Sequence, residues 1–122
     1  MRSNHFKQKK IKDPIISYML HNYNNLGYWH EQSRLDRSKY IVINWDNIQA
    51  GKKRNFHKCR SCTTQGHMYD VKSVMHYSKY AFSNGNGPTM RMKGCIKCEL
   101  GQRKGFSKLD IKGINALYRC DK

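Results

Sequence analysis

Acidic residues are scarce in this chain: 8 Asp and Glu stand against 24 Lys and Arg over 122 residues, a formal net charge of +16 at pH 7. Such a surface concentrates anions, whether nucleic acid, acidic lipid or acidic protein, and so constrains partners while leaving the fold open. Long apolar runs are also missing. None approaches the roughly 18 residues of a membrane span, and the first residues lack the apolar core of a secretory signal. As given, the chain is expected to carry no membrane anchor and no export signal. No internal repeat is visible, and low complexity is confined to a basic run, "KQKKIK" at Lys7 to Lys12. A second basic run, "GKKR", spans Gly51 to Arg54; both read as solvated surface. The length fits one domain or part of one, with a modest core.

Against these absences stand five cysteines, Cys59, Cys62, Cys95, Cys98 and Cys120. Two Cys-x-x-Cys pairs and a leftover can be a zinc cage or two disulfides, and the fifth wants a partner.

Pro14 opens a predicted helix over "IISYMLHNY", which Asn24, Asn25 and Gly27 stop. "YIVINW", Tyr40 to Trp45, is β-branched and aromatic and predicts a strand with Ile41, Ile43 and Trp45 on one face. "NIQAGKKRNF" predicts a short irregular helix. From Cys59 to Gly105 recurring Gly, Asn and Ser predict long loops. In "SKLDIKGINALY" Ser107 and Asp110 form a capping-box pattern. Leu109, Ile111, Ile114, Leu117 and Tyr118 then recur at helical spacing, predicting a terminal amphipathic helix docked by its apolar face.

Three stretches in one order, "LGYWHEQSRLDRSKYIVINWDNI", "YDVKSVMHYSKYAFSNGNGPT" and "LGQRKGFSKLDIKGINALYRC", resemble the carboxyl-terminal half of the astacin family of zinc metalloendopeptidases, from about Leu26 to Cys120. The resemblance implies an α+β, zincin-like (metzincin) fold, mainly its loop-rich C-terminal subdomain with a closing helix. It also implies a zinc cofactor, a peptide or protein substrate, and a secreted location.

In such proteases a helix carries H-E-x-x-H, the chain turns at a glycine, and a third histidine completes the zinc site. On that pattern Gly27 is the turning glycine and His30 the third ligand. Met75 falls on the Met-turn beneath the metal, and Tyr77 on the tyrosine that reaches the zinc and helps hold the oxyanion. Glu31 matches the glutamate that pairs with the new N-terminus in the mature fold, and Cys120 matches the last cysteine. By the same resemblance, Thr89 to Lys93 borders the pocket for the residue after the scissile bond, where Arg91 and Lys93 would favour acidic side chains.

One departure weighs against activity. Counting back from Gly27, the first ligand position is Leu20, the glutamate position His21 and the second ligand position Asn24, and no acidic residue lies between Pro14 and His30. The carboxylate that moves protons between zinc-bound water and the leaving amine, a role worth about 10²- to 10⁴-fold, is therefore absent. Residues 1–25 are expected to be a divergent basic segment in place of the upstream half and active-site helix, and 26–120 the astacin-like subdomain. The chain is then a partial or degenerate catalytic domain, inactive as written. The alternatives are a non-catalytic secreted relative that keeps the cleft as a binding surface, and a basic Cys₄ zinc module that grips nucleic acid.

The family's compartment favours disulfides, and the expectation is two bonds tying the Cys59–Cys62 loop to the Cys95–Cys98 loop, with connectivity left open. That makes nucleic acid the disfavoured partner. His76 is expected to pack, and His57 and His67 to lie on the surface.

Overall fold

The computed structural model describes residues 29–118 except 63 and 65. The predicted helix after Pro14, Gly27, the register positions Leu20, His21 and Asn24, and Cys120 lie outside the described residues.

Regular structure is sparse. Strand β1, Ile41–Ile43, pairs antiparallel with β2, Met90–Met92, in the register Ile41 to Met92, Val42 to Arg91 and Ile43 to Met90. The chain then closes on helix α1, Lys108–Tyr118. Short 3₁₀ turns at Glu31–Ser33 and Arg37–Lys39 precede β1, and two more, Trp45–Asn47 and Lys53–Phe56, lie between the strands. A two-stranded sheet is marginal by itself. What holds it is a core of Ile41, Ile48, Phe56, Tyr69, Met90 and Leu100, with Tyr77 and Phe82 packed on its margin. Phe56 is its centre, wholly buried and edge-on to Trp45, Tyr77 and Phe82.

The predicted strand ends early. Asn44 donates from its backbone to the Thr89 carbonyl at 2.8 Å and from its side chain to the Pro88 carbonyl at 3.0 Å, and Asn47 donates to the same Pro88 oxygen at 2.9 Å. These bonds turn the chain at Asn44. Trp45 therefore begins a 3₁₀ turn instead of sharing the buried face with Ile41 and Ile43, and it is 38% exposed. The irregular helix predicted next is two separate turns, Trp45–Asn47 and Lys53–Phe56. The loop-rich stretch from Cys59 to Gly105 is as expected, apart from β2 within it.

The capping box forms as predicted. The Ser107 amide donates to Asp110 Oδ2 and the Asp110 amide donates to Ser107 Oγ, each at 3.0 Å. Among the described side chains of α1, Asp110 and Gly113 are buried and Leu109, Ile111 and Ile114 of the expected apolar face are partly so, while those of Leu117 and Tyr118 lie outside the described residues. Asp110 is drawn in by polar bonds described below.

Each Cys-x-x-Cys closes on itself, as Cys59–Cys62 and Cys95–Cys98. The expected tie between the two loops is not made. A turn across three residues brings the paired Cα atoms to 5.5 and 5.4 Å, within bridging range. The loops are also anchored apart, the Cys59 amide on the Ser33 carbonyl and the Cys95 amide on Met92.

Candidate functional site

The site is assembled on the turn Ser73–Tyr77, whose polar groups are held from three directions. From α1, the Asp110 carboxylate accepts the Ser73 hydroxyl at 2.5 Å and the Val74 amide at 2.9 Å, and Ser73 Oγ in turn accepts the Met75 amide. From the loop before α1, the Arg103 guanidinium donates to the Val74 carbonyl at 2.9 Å and the His76 carbonyl at 3.2 Å. From the turn at Glu31–Ser33, the buried Gln32 accepts the Tyr77 amide through Oε1 at 3.1 Å. Backbone groups that would be costly to bury unpaired are thus satisfied by side chains from distant segments.

Gly101 completes the frame. Its φ is +64°, and a Cβ there would stand 2.3 Å from the His76 carbonyl oxygen, so only glycine lets the two backbones approach this closely.

Met75 then positions His30. Its carbonyl accepts the Glu31 amide at 3.2 Å and His30 Nδ1 at 3.1 Å. A carbonyl only accepts, so the imidazole proton sits on Nδ1 and the lone pair on Nε2. Burial lowers the His30 pKa against the opposing bond to the Met75 carbonyl, with the nearby Arg103 charge acting alongside burial, which favours the neutral ring. The Tyr77 ring lies 4.5 Å from the His30 ring, centroid to centroid. A neutral imidazole oriented by a carbonyl, with a phenol beside it, is the form in which histidine binds metal and tyrosine steadies charge.

Glu31 faces a small cavity of about 100 Å³ lined by Trp29, Arg34, His67 and Asp110 among others. Its Oε1 accepts the Asp70 amide at 2.8 Å and Arg34 at 3.1 Å. Burial pushes this carboxyl above its ordinary range, against the pull of those two partners.

His76 is wholly buried and fully committed. Its Nδ1 donates to the Tyr77 carbonyl at 2.7 Å, its Nε2 accepts the Tyr69 hydroxyl at 2.8 Å, and burial takes its pKa down to about 4. It packs, as expected. His57 is exposed, but His67 is half-buried, contrary to the surface position expected, because Arg34 grips its carbonyl at 2.9 Å.

Comparison with known proteins bears on this geometry. The family model described as Astacin, a peptidase family, matches residues 11–119. The chain belongs to the astacin family. It is 45% identical over 98 residues to the meprin A subunit beta of Mus musculus, covering 78% of this chain and 14% of the relative. It is 48% identical over 111 residues to zinc metalloproteinase nas-15 of Caenorhabditis elegans, covering 89% of this chain and 19% of the relative. Among solved structures it resembles high choriolytic enzyme 1, a hatching enzyme zinc-protease from the medaka fish Oryzias latipes, with TM-score 0.72 and 38% identity over 76% of this chain and 46% of that one. The chain thus spans only a minor part of the curated relatives it matches. The α+β, zincin-like fold implied by its sequence is the one it shares with that neighbour.

The matched family is a peptidase family, and the solved neighbour is a zinc-protease. Among the described residues no group of three His, Cys, Asp or Glu that could hold a metal occurs. His30 Nε2 has no hydrogen-bond partner among the described residues and suits a metal ligand, but one imidazole and one phenol fall short of the four donors zinc takes. Among the described residues no helix is long and apolar enough to cross a membrane.

Sequence reasoning singled out His30, Glu31, Met75 and Tyr77, and the fold brings all four together. It missed Gln32, Gly101 and Arg103, and saw Asp110 only as a helix cap. The adjacency of Gln32 to His30 and Glu31 was the one available signal. Thr89 is buried, its hydroxyl bonded to the Lys79 and Ala81 carbonyls, whereas Arg91 is partly exposed and Lys93 exposed.

Proposed function

We infer that this chain forms the floor of an astacin-type zinc metalloendopeptidase cleft: His30 Nε2 is offered as a metal ligand, Tyr77 as the group that steadies the oxyanion, and Met75 as the support beneath. The observation that carries this reading is the bond from His30 Nδ1 to the Met75 carbonyl, with Tyr77 tilted against the ring. Zinc, when bound, would activate water and polarise the peptide carbonyl. The chain's own part is to fix the imidazole tautomer, orient the phenol and border the peptide. Arg91 and Lys93 favour acidic side chains just after the scissile bond.

The register from Gly27 puts His21 where the family's glutamate stands and leaves Leu20 and Asn24 at the other two ligand positions. The chain as written therefore holds peptides without cutting them: residues 1–25, which the family model still matches from residue 11, diverge at the ligand and glutamate positions, and 26–120 carry the cleft floor. Two Cys-x-x-Cys disulfides support a secreted setting, and they consume the thiolates that a Cys₄ zinc module would need.

The test is restoration. The chain should show no chelator-sensitive hydrolysis of a quenched peptide, and Leu20→His with His21→Glu and Asn24→His should create it. Adding His30→Ala to the restored protein should abolish it and weaken zinc binding by at least about tenfold. Chelator-sensitive cleavage by the unaltered chain would overturn the inactive reading, and zinc binding indifferent to His30→Ala would overturn the site.

A further inference from the structure

One feature stands apart from the cleft residues: the segment Lys52 to Arg60, "KKRNFHKCR". It places Lys53, Arg54, His57, Lys58 and Arg60 at the surface around one buried side chain, Phe56. The segment is fixed at both ends. The Lys52 amide donates to the Gln49 carbonyl at 3.1 Å, the Cys59 amide donates to Ser33 at 2.7 Å, and the Phe56 carbonyl accepts Arg37. The cations are thus displayed by a rigid turn, which lowers the entropic cost of engaging a ligand.

Beside them runs a groove of about 760 Å³ lined by Leu35, Arg37, Trp45, His57, Lys58 and Arg60. Among the described residues no acidic side chain lines it, and none of the ion pairs uses its cations. Trp45 presents a partly exposed indole there because Asn44 turned the strand outward. An unneutralised cationic rim on an aromatic floor suits a polyanion made of rings: charge meets the rim and ring faces meet the indole. Clusters of this kind serve nucleic acids and heparin-like polymers alike. The two disulfides decide between them, since thiols oxidise outside the cytosol, where the abundant polyanion is sulfated polysaccharide.

We propose that the Lys52–Arg60 turn and the Trp45 groove form a docking surface for a sulfated glycosaminoglycan chain, separate from the cleft at His30 and Tyr77. Its occupancy would hold the protein in a sulfated matrix.

The experiment measures binding of the full chain to heparin against salt, with unsulfated heparosan and a DNA duplex of matched length as comparators. Heparin should bind most tightly. Replacing Lys53, Arg54, Lys58 and Arg60 with Ala should weaken heparin binding by more than about tenfold and cut the slope of log affinity against log salt by roughly three. The same loss of charge at exposed Lys72, Lys104, Lys108 and Lys112 should change affinity less than about threefold, because diffuse attraction is screened. Trp45→Ala should weaken binding by roughly fivefold with the slope unchanged, as expected for lost packing of the sugar C–H face on the indole. Lys58→Glu with Arg60→Glu provides a second probe of the groove remote from the core. Equal effects of the two quadruple variants, unaltered binding in the Lys58/Arg60 variant, or a preference for DNA over heparin would each overturn the proposal.

Discussion

Asp110 and Ser73 are 37 residues apart in the chain, yet the Ser73 hydroxyl donates to the Asp110 carboxylate at 2.5 Å. The same carboxylate caps α1 through the Ser107 amide and fixes the Val74 amide. One side chain thus starts the helix and clamps the turn that carries His76 and Tyr77, so helix formation and assembly of the site are coupled.

Asp110→Ala should therefore cost more than a missing cap. It strands the Val74 and Ser107 amides and the Ser73 hydroxyl in a buried setting, for about 2–4 kcal/mol in total. Asp110→Asn keeps one acceptor and a donor and should lose about half as much. Thermal unfolding measures the totals, and amide exchange at Val74 tests the mechanism. Slow exchange at Val74 in the Ala variant would show that the clamp is not what orders the turn.

Gly101→Ala should be more damaging than its size implies. The new methyl would lie 2.3 Å from the His76 carbonyl, which Arg103 also holds, and φ is +64°. Backbone must shift, at a cost above about 3 kcal/mol. Gly94→Ala is the control: φ is similar at +77° but nothing lies within 4 Å, so it should cost about 1–2 kcal/mol. Equal melting temperatures for the two variants would remove the steric argument.

What could be read from the sequence follows the range of the interactions. His30, Glu31, Met75 and Tyr77 sit in short stretches whose residue order carries the family pattern, and the Ser107–Asp110 cap spans one helical turn, so both were legible. The second duty of Asp110 and the role of Arg103 depend on contacts 27 to 37 residues away, which no local period encodes. Trp45 misled because β-branched and aromatic composition predicts strand, while two asparagines bonding to Pro88 decided otherwise. The cysteines misled because spacing gives proximity within a pair but no information about distance between pairs.

Tyr69 should make the fold sensitive to alkali. Burial, assisted by the Glu31 charge, pushes its hydroxyl well above the ordinary value near 10, and that hydroxyl donates to His76. Above about pH 10 the unfolded chain loses this proton and the folded chain keeps it, so the folded state binds more protons. The stabilisation is complete below that pH and declines as pH rises, at up to about 1.4 kcal/mol per pH unit. Tyr69→Phe should be about 1–2 kcal/mol less stable at neutral pH, since His76 loses its partner, but flatter above pH 10. Parallel stability curves for the two proteins from pH 9 to 11 would refute the assignment.

The disulfides offer a test of how the loops are joined. A bond closing a ring across three residues removes little freedom from the unfolded chain, about 2 kcal/mol at most by the chain-entropy relation, whereas a bond between the two loops would be worth nearly 4. Because Cys59–Cys62 and Cys95–Cys98 each close locally, replacing either pair by serine should cost about 2 kcal/mol or less. The two losses should add, since each bond closes within its own loop and no bond joins the two. Single replacements sharpen the test. Cys59→Ser should free the Cys62 thiol alone, and Cys95→Ser the Cys98 thiol alone, by thiol labelling and peptide mapping. Release of Cys95 or Cys98 on replacing Cys59 would mean that the loops are crosslinked, and the basic turn at Lys52–Arg60 would then be tied to the edge of the β1–β2 sheet instead of standing apart from it.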